Sequence, residues 1–242
     1  ETNTLIREGV DSVMNPFDRY ALEEAVLLRE QLGGSVTAIT MGPPQAKEVL
    51  GEAVSLGADD VILVSDKEFA GADTLATSYT LAGAIKKIGD VDLILCGKQA
   101  TDGDTAQVGP GISVHLGLPQ LVFVKKVRSV NGKKIVAERM REDGYEVVEA
   151  SLPLVMTVVK DINQPRLPSI TGVLTSRKLE ITTWTAADLD LDSDKLGLKG
   201  SPTWVDKIFA PPAVTGGELF TGNPKEVVDH FIESAKKNQL LS

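Results

Sequence analysis

The chain has 242 residues, of which 42% are hydrophobic and 24% are charged, a composition typical of globular proteins. Its formal net charge of −9 offers nucleic acid no electrostatic attraction, so we expect no nucleic-acid partner. No apolar run reaches the roughly 18 residues that a membrane-spanning helix needs, so we expect no membrane span. The single cysteine, Cys96, excludes a disulfide within the chain and fits a reducing compartment.

The sequence begins without the strand that usually opens an α/β fold. The first residue is Glu1 rather than methionine, and residues 1–5 resemble the middle of a hairpin. No strand pattern precedes the first helical pattern. We therefore expect that a first strand is missing at this end.

Helical and strand patterns alternate along the first half of the chain. Helices are predicted from Asn15-Pro16 to Leu32, from the turn at residues 42–44 to Leu56, from the cap Asp73 to Ile88, and over residues 106–115. Apolar strands are predicted at residues 35–41, 60–64 and 92–96. This alternation predicts an α/β fold with a doubly wound, mostly parallel sheet.

The pattern changes after Pro119. Strands are predicted at residues 121–127, 135–141, 145–152 and 154–159, with turns at Asn131-Gly132 and Asp143-Gly144, and together they form an antiparallel excursion. From residue 161 a proline- and serine-rich C-terminal arm begins, which includes Pro211-Pro212 and a last helix over about residues 224–239. We therefore divide the chain into residues 1–160 and 161–242. Composition leaves open whether the arm wraps its own domain or clasps a partner.

The stretch from Gly97 to Pro110 joins a strand to a helix, where α/β proteins bind nucleotides. Gly97 and Gly103 permit positive φ angles and a close approach of backbone to ligand. The Thr105 hydroxyl and the Gln107 amide can donate to phosphate oxygens. Backbone N–H groups of residues 105–107 are expected to be free at the helix start.

Two aspartates complicate a phosphate site in this stretch, because a carboxylate repels a phosphate. We assign Asp104 to the helix N-cap, where it would accept from the N–H group of Gln107. Asp102 would accept from ribose hydroxyls or from a backbone turn. The alternative is that Asp102-Gly103-Asp104 is only a turn and a cap.

Three other segments are expected at the same edge of the sheet, and each is alternatively a simple cap or turn. They are the helix start at residues 15–18, the turn after Met41, and the start of the third helix with Thr74 and Thr77. Their shared position favours a binding site there.

Taken together, these residues resemble the β subunit of electron-transfer flavoproteins over essentially the whole chain. The motifs that carry the resemblance are Asn15-Pro16-Phe17-Asp18, Thr40-Met41-Gly42-Pro43, Gly57-Ala58-Asp59, residues 71–78, Gly97-Lys98-Gln99-Ala100-Thr101-Asp102, residues 137–148, residues 153–157, Asn163-Gln164-Pro165-Arg166 and residues 184–189. The family's first strand and its loop resembling Val-Lys-Gln-Val-Pro-Asp, which touches the adenine, have no counterpart here.

The resemblance implies an adenine nucleotide α-hydrolase-like fold and a heterodimer with an α subunit that carries FAD. The β subunit would hold a second nucleotide, which is AMP in mitochondrial-type members and FAD in electron-bifurcating ones. AMP-type loops read Asp-Asp-Asp or Asp-Asn-Asp, whereas this loop reads Asp102-Gly103-Asp104, which favours FAD. By position, the implied cofactor contacts are Asn15, Pro16, Phe17, Asp18, Met41, Gly97, Lys98, Gln99, Ala100, Thr101, Asp102, Gly103, Asp104, Thr105, Ala106, Gln107 and Val108, with Thr74 and Thr77 as further candidates.

The bifurcating type would take hydride from NADH and divide the electrons between the α-subunit FAD and a low-potential acceptor such as ferredoxin or flavodoxin. No acid–base catalyst is implied, since the flavin does the chemistry. Leu167 and Ile170 would lie in a recognition loop that docks an acyl-CoA dehydrogenase-type flavoenzyme, and residues 161–242 would pack on the α subunit. Arg139 and Arg141 are either cations near the α-bound flavin or solvated strand residues. A cytoplasmic, bacterial location is implied.

Three alternatives to this assignment stay open. The first is a non-bifurcating carrier with AMP in the β subunit. The second is an enzyme of the related hydrolase fold, such as an ATP pyrophosphatase. The third is a stand-alone nucleotide-sensing module.

Overall fold

The computed structural model describes residues 12–207, 209, 217 and 219–241. One compact unit ends at Val205, and a second begins at Asp206. The helices are α1 (Pro16–Leu32), α2 (Lys47–Leu56), α3 (Thr74–Ile88), α4 (Val108–Leu116), α5 (Ile170–Ser176) and α6 (Pro224–Lys237). The strands are β1 (Thr37–Met41), β2 (Asp60–Val64), β3 (Leu93–Gly97), β4 (Gln120–Asn131), β5 (Lys134–Arg141), β6 (Gly144–Ser151), β7 (Leu154–Val158) and β8 (Thr182–Trp184).

The strands form a mostly parallel α/β arrangement, as the alternating pattern predicted. They are divided between two sheets, with the orders β1-β2-β8 and β3-β7-β4-β5-β6. The pairs β1–β2, β2–β8, β3–β7 and β4–β7 are parallel, and the pairs β4–β5 and β5–β6 are antiparallel.

The antiparallel excursion is confirmed for β4, β5 and β6 but is wrong for β7. Strand β7 returns to the parallel part of the sheet, where it lies between β3 and β4 and pairs in parallel with both. All five of its residues are buried, as expected for a strand with neighbours on both edges and helices over its faces. Strand β4 therefore joins the parallel part of the sheet, through β7, to the antiparallel part, through β5.

The core is built from small aliphatic side chains, in line with the low aromatic content. Helices α1 and α2 pack Val26, Leu50 and Val54 against β2. Ile112 of α4 packs against Ile94 of β3 and Val155 of β7. Gly109 permits this contact, because a Cβ there would lie 2.6 Å from Cγ2 of Thr157.

The segment after β7 contains two elements that sequence periodicity did not single out. Helix α5 packs against α2, and β8 extends the first sheet by pairing with β2. Both are short, at 7 and 3 residues. Such short elements form because neighbouring elements hold them in place, and their own patterns are too brief to predict them.

Helix α6 in the second unit begins at the proline-marked position that the sequence indicated. Asn223 caps it by accepting from the N–H group of Lys225, and Pro224 occupies the first turn. Val228 and Phe231 of its predicted apolar face are about half exposed. Pro211-Pro212 of the predicted arm lies outside the described residues. Among the described helices, none combines the length and hydropathy that a membrane crossing demands.

Candidate functional site

The loop that joins β3 to α4, residues 98–107, lies at the carboxyl end of β3. Helix α1 begins next to it, because Gly97 at the strand end touches Phe17 and Asp18. A Cβ at Gly97 would lie 2.6 Å from the backbone nitrogen of Asp18 and from the backbone carbon of Phe17. Glycine is therefore required here for the approach of α1. Among the described residues, the group that approaches Gly97 closely is the chain's own helix α1, and the predicted approach of a ligand stays a prediction.

Asn15, at the N-cap position of α1, connects that helix to the loop. Its amide nitrogen donates to the Gln99 carbonyl oxygen at 2.9 Å and to the Asp18 carboxylate at 2.9 Å. Its amide oxygen accepts from the N–H group of Thr101 at 3.2 Å. The position of Asn15 before Pro16 is as predicted, but its side chain makes no helix-capping hydrogen bond. It fixes the loop instead.

Asp18 closes the same contact from the first turn of α1. Its carboxylate accepts from the N–H group of Gly97 at 2.7 Å. Part of the residue reaches solvent, yet desolvation of the carboxyl group by surrounding protein raises its pKa, against the opposing hydrogen bonds from Asn15 and Gly97. Burial, together with the nearby charge of Asp18, raises the pKa of the Cys96 thiol to about 12. Cys96 is partly exposed, and its raised pKa keeps it a protonated thiol near neutral pH.

Helix α3 meets the other end of the loop. The Thr74 hydroxyl donates to the side-chain oxygen of Gln107 at 2.8 Å, and Asp73 caps α3 as predicted by accepting from the N–H groups of Leu75 and Ala76. The starts of α1, α3 and α4 therefore converge on one loop, as the sequence predicted. Within the described residues, the Gln107 amide nitrogen donates no hydrogen bond, so it is available to a ligand.

The predicted cap of α4 is wrong. The helix begins at Val108 rather than at residue 106, and Gln107 holds the N-cap position. Asp104 instead lies within the loop with a φ of 51°, where its carboxylate accepts from the Gln99 amide. The N–H groups that lead the helix are consequently those of Val108 and Gly109 rather than those of residues 105–107, and the third position is Pro110, which has none.

The predicted use of glycine for positive φ angles in this loop is also wrong. The left-handed residues are Asp104 and Ala106, with φ angles of 51° and 55°, and not Gly97 or Gly103. A Cβ at Gly103 would meet nothing within 4 Å. Two non-glycine residues in this uncommon conformation show that the contacts around the loop hold its shape.

The middle of the loop presents polar groups to solvent. Residues 101–105 are exposed, and within the described chain the Thr101 and Thr105 hydroxyls make no hydrogen bond. The carboxylates of Asp102 and Asp104 are turned to the loop itself, since they accept from the Gly103 N–H group and the Gln99 amide. Their repulsion of a phosphate is reduced by these donors.

The remaining predicted site residues lie around this cluster. Lys98 donates its N–H group to the Val158 carbonyl oxygen at 2.9 Å, and its ammonium lies 5.4 Å from the ring centre of Phe123. Ala100 accepts from the N–H group of Asp104. Met41 packs with the apolar cluster around Val64, and no described contact brings it to the loop. Thr77 lies one turn into α3 and donates its N–H group to the Asp73 carbonyl oxygen.

A second polar cluster lies between α1 and the segment of residues 163–170, which we call the docking segment. The guanidinium of Arg166 binds both carboxylate oxygens of Glu23 and both of Glu30, at distances from 2.7 to 3.2 Å. Asn163 donates to Glu24 at 3.0 Å and to the Tyr20 carbonyl oxygen at 3.1 Å. Sequence reasoning missed this cluster, although adjacent acids, Glu23 and Glu24, on an otherwise amphipathic helix were a visible signal.

The predicted docking residues project from this segment. Leu167 is 85% exposed and Ile170 is 83% exposed. On the hairpin formed by β5 and β6, Arg139 and Arg141 are both paired with a carboxylate. Both bind the Glu146 carboxylate of β6, the latter at 3.2 Å.

The fold and these contacts define a mixed α/β protein with a mostly parallel sheet and a polar loop at one sheet edge. Residues 2–189 match the electron transfer flavoprotein domain. The chain therefore belongs to the electron transfer flavoprotein family, and its relatives identify it as a β subunit. As such it takes part in electron transfer and has an α subunit as its partner.

Three relatives illustrate the similarity. The chain is 48% identical to electron transfer flavoprotein subunit beta of Thermoanaerobacterium thermosaccharolyticum, over 99% of this chain and 92% of the relative. It is 45% identical to the caffeyl-CoA reductase-Etf complex subunit CarD of Acetobacterium woodii, over 100% and 92%. It is 49% identical to protein FixA of Bradyrhizobium diazoefficiens, over 98% and 85%.

Proposed function

We propose that this β subunit binds FAD at the loop of residues 97–108 and serves an electron-bifurcating complex. Hydride from NADH would supply two electrons, one for the α-subunit FAD and one for ferredoxin or flavodoxin. FAD, when bound, supplies the redox chemistry, since it accepts electrons in a pair and releases them singly. The similarity to a subunit of a caffeyl-CoA reductase-Etf complex supports an acyl-CoA dehydrogenase-type partner.

The observation that carries the proposal is the exposed, glycine-centred loop held open by three helix starts. Asn15 and Thr74 fix its two ends, at 2.9 Å from Gln99 and 2.8 Å from Gln107. Gln107 would donate its amide nitrogen to a phosphate, and Thr101 and Thr105 would donate hydroxyls. Gly103 would leave room for the larger of the two nucleotides, since a side chain there would extend into the open space beside the loop.

The contacts of the loop residues with the nucleotide follow from this placement. Gly97, Lys98, Gln99 and Ala100 would line the base of the site, next to Phe17 and Asp18 of α1. The leading N–H groups of α4 would face the phosphates, favoured by the helix dipole. Met41 and Thr77 would lie at the rim. These assignments extend the residue-by-residue resemblance to the family.

The first experiment identifies the nucleotides of the purified α/β complex after denaturation. We expect two FAD molecules per heterodimer. One FAD and one AMP would overturn the FAD proposal and support the non-bifurcating carrier. Reduction of the bound flavins by NADH, followed as loss of their visible absorbance, tests the electron donor separately.

The second experiment uses Gly103→Asp, which restores the acid-rich loop of AMP-type members. Because a Cβ at Gly103 meets no protein atom within 4 Å, we expect folding to be unchanged and the β-bound FAD to be lost. The matched control is Gly51→Asp on α2, where a Cβ likewise meets nothing within 4 Å. The two variants add the same charge, so retention of both FAD molecules by Gly103→Asp would count against the proposed role of the loop.

A further inference from the structure

The docking segment is attached to the fold on both sides of Leu167, and Ile170 directly follows the second attachment. On one side, the Arg166 guanidinium binds Glu23 and Glu30, and its backbone N–H group donates to Glu23 at 2.9 Å. On the other side, the Ser169 N–H group donates to the Ser55 carbonyl oxygen of α2 at 3.1 Å. The chain between these attachments is only Leu167 and Pro168.

The attachment through Arg166 consists of five hydrogen bonds from its side chain and one from its backbone. Glu23 is only 6% exposed, and its carboxylate is bound by both the side chain and the backbone of Arg166. Two bidentate contacts with carboxylates fix the orientation of a guanidinium in addition to attracting its charge. A lysine could satisfy the charge but not this planar geometry.

The second attachment is equally restrictive. A Cβ at Gly172 would lie 2.6 Å from the Ser55 carbonyl oxygen, so α5 packs directly against the end of α2. Ser169 caps α5 by accepting from the Gly172 N–H group at 2.9 Å. Ile170, at the first position of α5, is thereby fixed, although its side chain is 83% exposed.

Exposed apolar side chains on a fixed backbone suit docking to another protein, because less conformational entropy is lost on binding. Leu167 is 85% exposed and Ile170 is 83% exposed, yet both are held by the two attachments. A mobile segment with the same side chains would have to be ordered at each encounter.

We propose that Arg166 is a positioning residue for partner docking, which it serves by holding Leu167 and Ile170 in the conformation that binds. The proposal rests on the function proposed above, with an acyl-CoA dehydrogenase-type flavoenzyme as partner, and on the predicted docking of that partner by Leu167 and Ile170. Arg166 itself need not touch the partner. Its effect should therefore be visible only while Leu167 and Ile170 are present.

The test is a double-mutant cycle in the assembled α/β complex, with a purified acyl-CoA dehydrogenase that the wild-type complex reduces. Arg166→Met is expected to raise the apparent KM for that enzyme about tenfold with kcat little changed, because Leu167 and Ile170 would then have to be ordered on binding. In a Leu167→Ala, Ile170→Ala background, the same substitution should raise KM less than about twofold. NADH-dependent reduction of the bound flavins should match wild type in all variants.

Two further variants separate positioning from general destabilisation. Arg29→Met removes an α1 cation that binds Asp59 at 2.7 Å and the Gly57 carbonyl oxygen at 2.9 Å, so it should lower stability without raising KM. If Arg166→Met fails to fold, Glu30→Gln provides a milder test of the same attachment. It leaves the Arg166–Glu23 pair intact and should raise KM about two- to threefold. Arg166→Lys should fall between wild type and Arg166→Met.

Each outcome decides between the two proposals. If Leu167→Ala with Ile170→Ala leaves KM unchanged, docking by this segment is wrong and the positioning proposal fails with it. If that pair raises KM but Arg166→Met does not, the docking proposal stands and the positioning proposal is overturned. An equal increase from Arg166→Met in both backgrounds also overturns it, since Arg166 would then act independently of Leu167 and Ile170.

Discussion

The loop of residues 98–107 and the docking segment of residues 163–170 are both exposed, but they are held in opposite ways. The loop is fixed at its ends by Asn15 and Thr74, while its middle presents hydroxyls and an open glycine. The docking segment is fixed close to every exposed side chain, by ion pairs and direct packing. The first arrangement leaves polar groups for a small ligand, and the second presents apolar groups to a protein surface. Three predictions test this difference, and a fourth concerns acid stability elsewhere in the fold.

The largest effect is expected from Gly97→Ala. A methyl group there would lie 2.6 Å from backbone atoms of Phe17 and Asp18, which cannot move without shifting α1. Overpacking of this kind should lower the free energy of unfolding by about 3 kcal/mol. Chemical denaturation of the complex measures it, with Gly103→Ala as the control expected to stay within about 0.5 kcal/mol. Equal stability of the two variants would show that α1 is not fixed against the strand end.

Asn15→Ala should have the next largest effect, because it removes three hydrogen bonds at the start of α1. Loss of the partners of Gln99 and Thr101 should cost about 2 kcal/mol and weaken nucleotide retention. Equilibrium dialysis against the released nucleotide measures the second effect. Arg19→Met is the control, since it breaks the nearby ion pair with Glu52 at 2.9 Å and leaves the loop contacts intact. If Asn15→Ala retained the nucleotide as well as wild type does, the loop would not be part of the nucleotide site.

Leu167→Ala should leave stability unchanged and weaken partner binding. The side chain is 85% exposed, so its removal creates no cavity. A loss of about 1.4 kcal/mol in partner affinity corresponds to a tenfold rise in Kd, measurable by surface plasmon resonance with the immobilised partner. Leu198→Ala, at another exposed leucine, is the control. If both variants bind the partner alike, the docking segment has no special role.

The smallest effect concerns acid stability at the end of β2. Backbone hydrogen bonds, first from Ala186 and then from Glu68, lower the pKa of Asp66. A lowered folded-state pKa stabilises the protein above the group's ordinary pKa, and this stabilisation is lost as the pH falls below about 4. Asp66→Asn should therefore reduce stability at pH 7 by less than about 1 kcal/mol and flatten the loss between pH 5 and pH 3. An unchanged acid profile, measured by urea denaturation, would contradict this assignment.

The sequence pattern correctly predicted the boundaries of those elements that are specified by their own residues. Strand β2 and helix α3 have the predicted boundaries, because an apolar run and the cap Asp73 specify them within their own residues. The start of α4 was wrong because its neighbours decide it. Thr74 of α3 binds Gln107, and Asp104 turns to Gln99, so the helix begins two residues later than the local pattern suggests.

The sequence by itself determined the mixed α/β class, the alternation of elements, and the loop where three helix starts meet, because periodicity and capping residues act over a few positions. Only the tertiary structure decided that β7 inserts between β3 and β4, that Gly97 admits α1, and that Arg166 binds Glu23 and Glu30. These contacts join residues far apart in the chain. Their formation depends on the packing of whole elements, which no local pattern records.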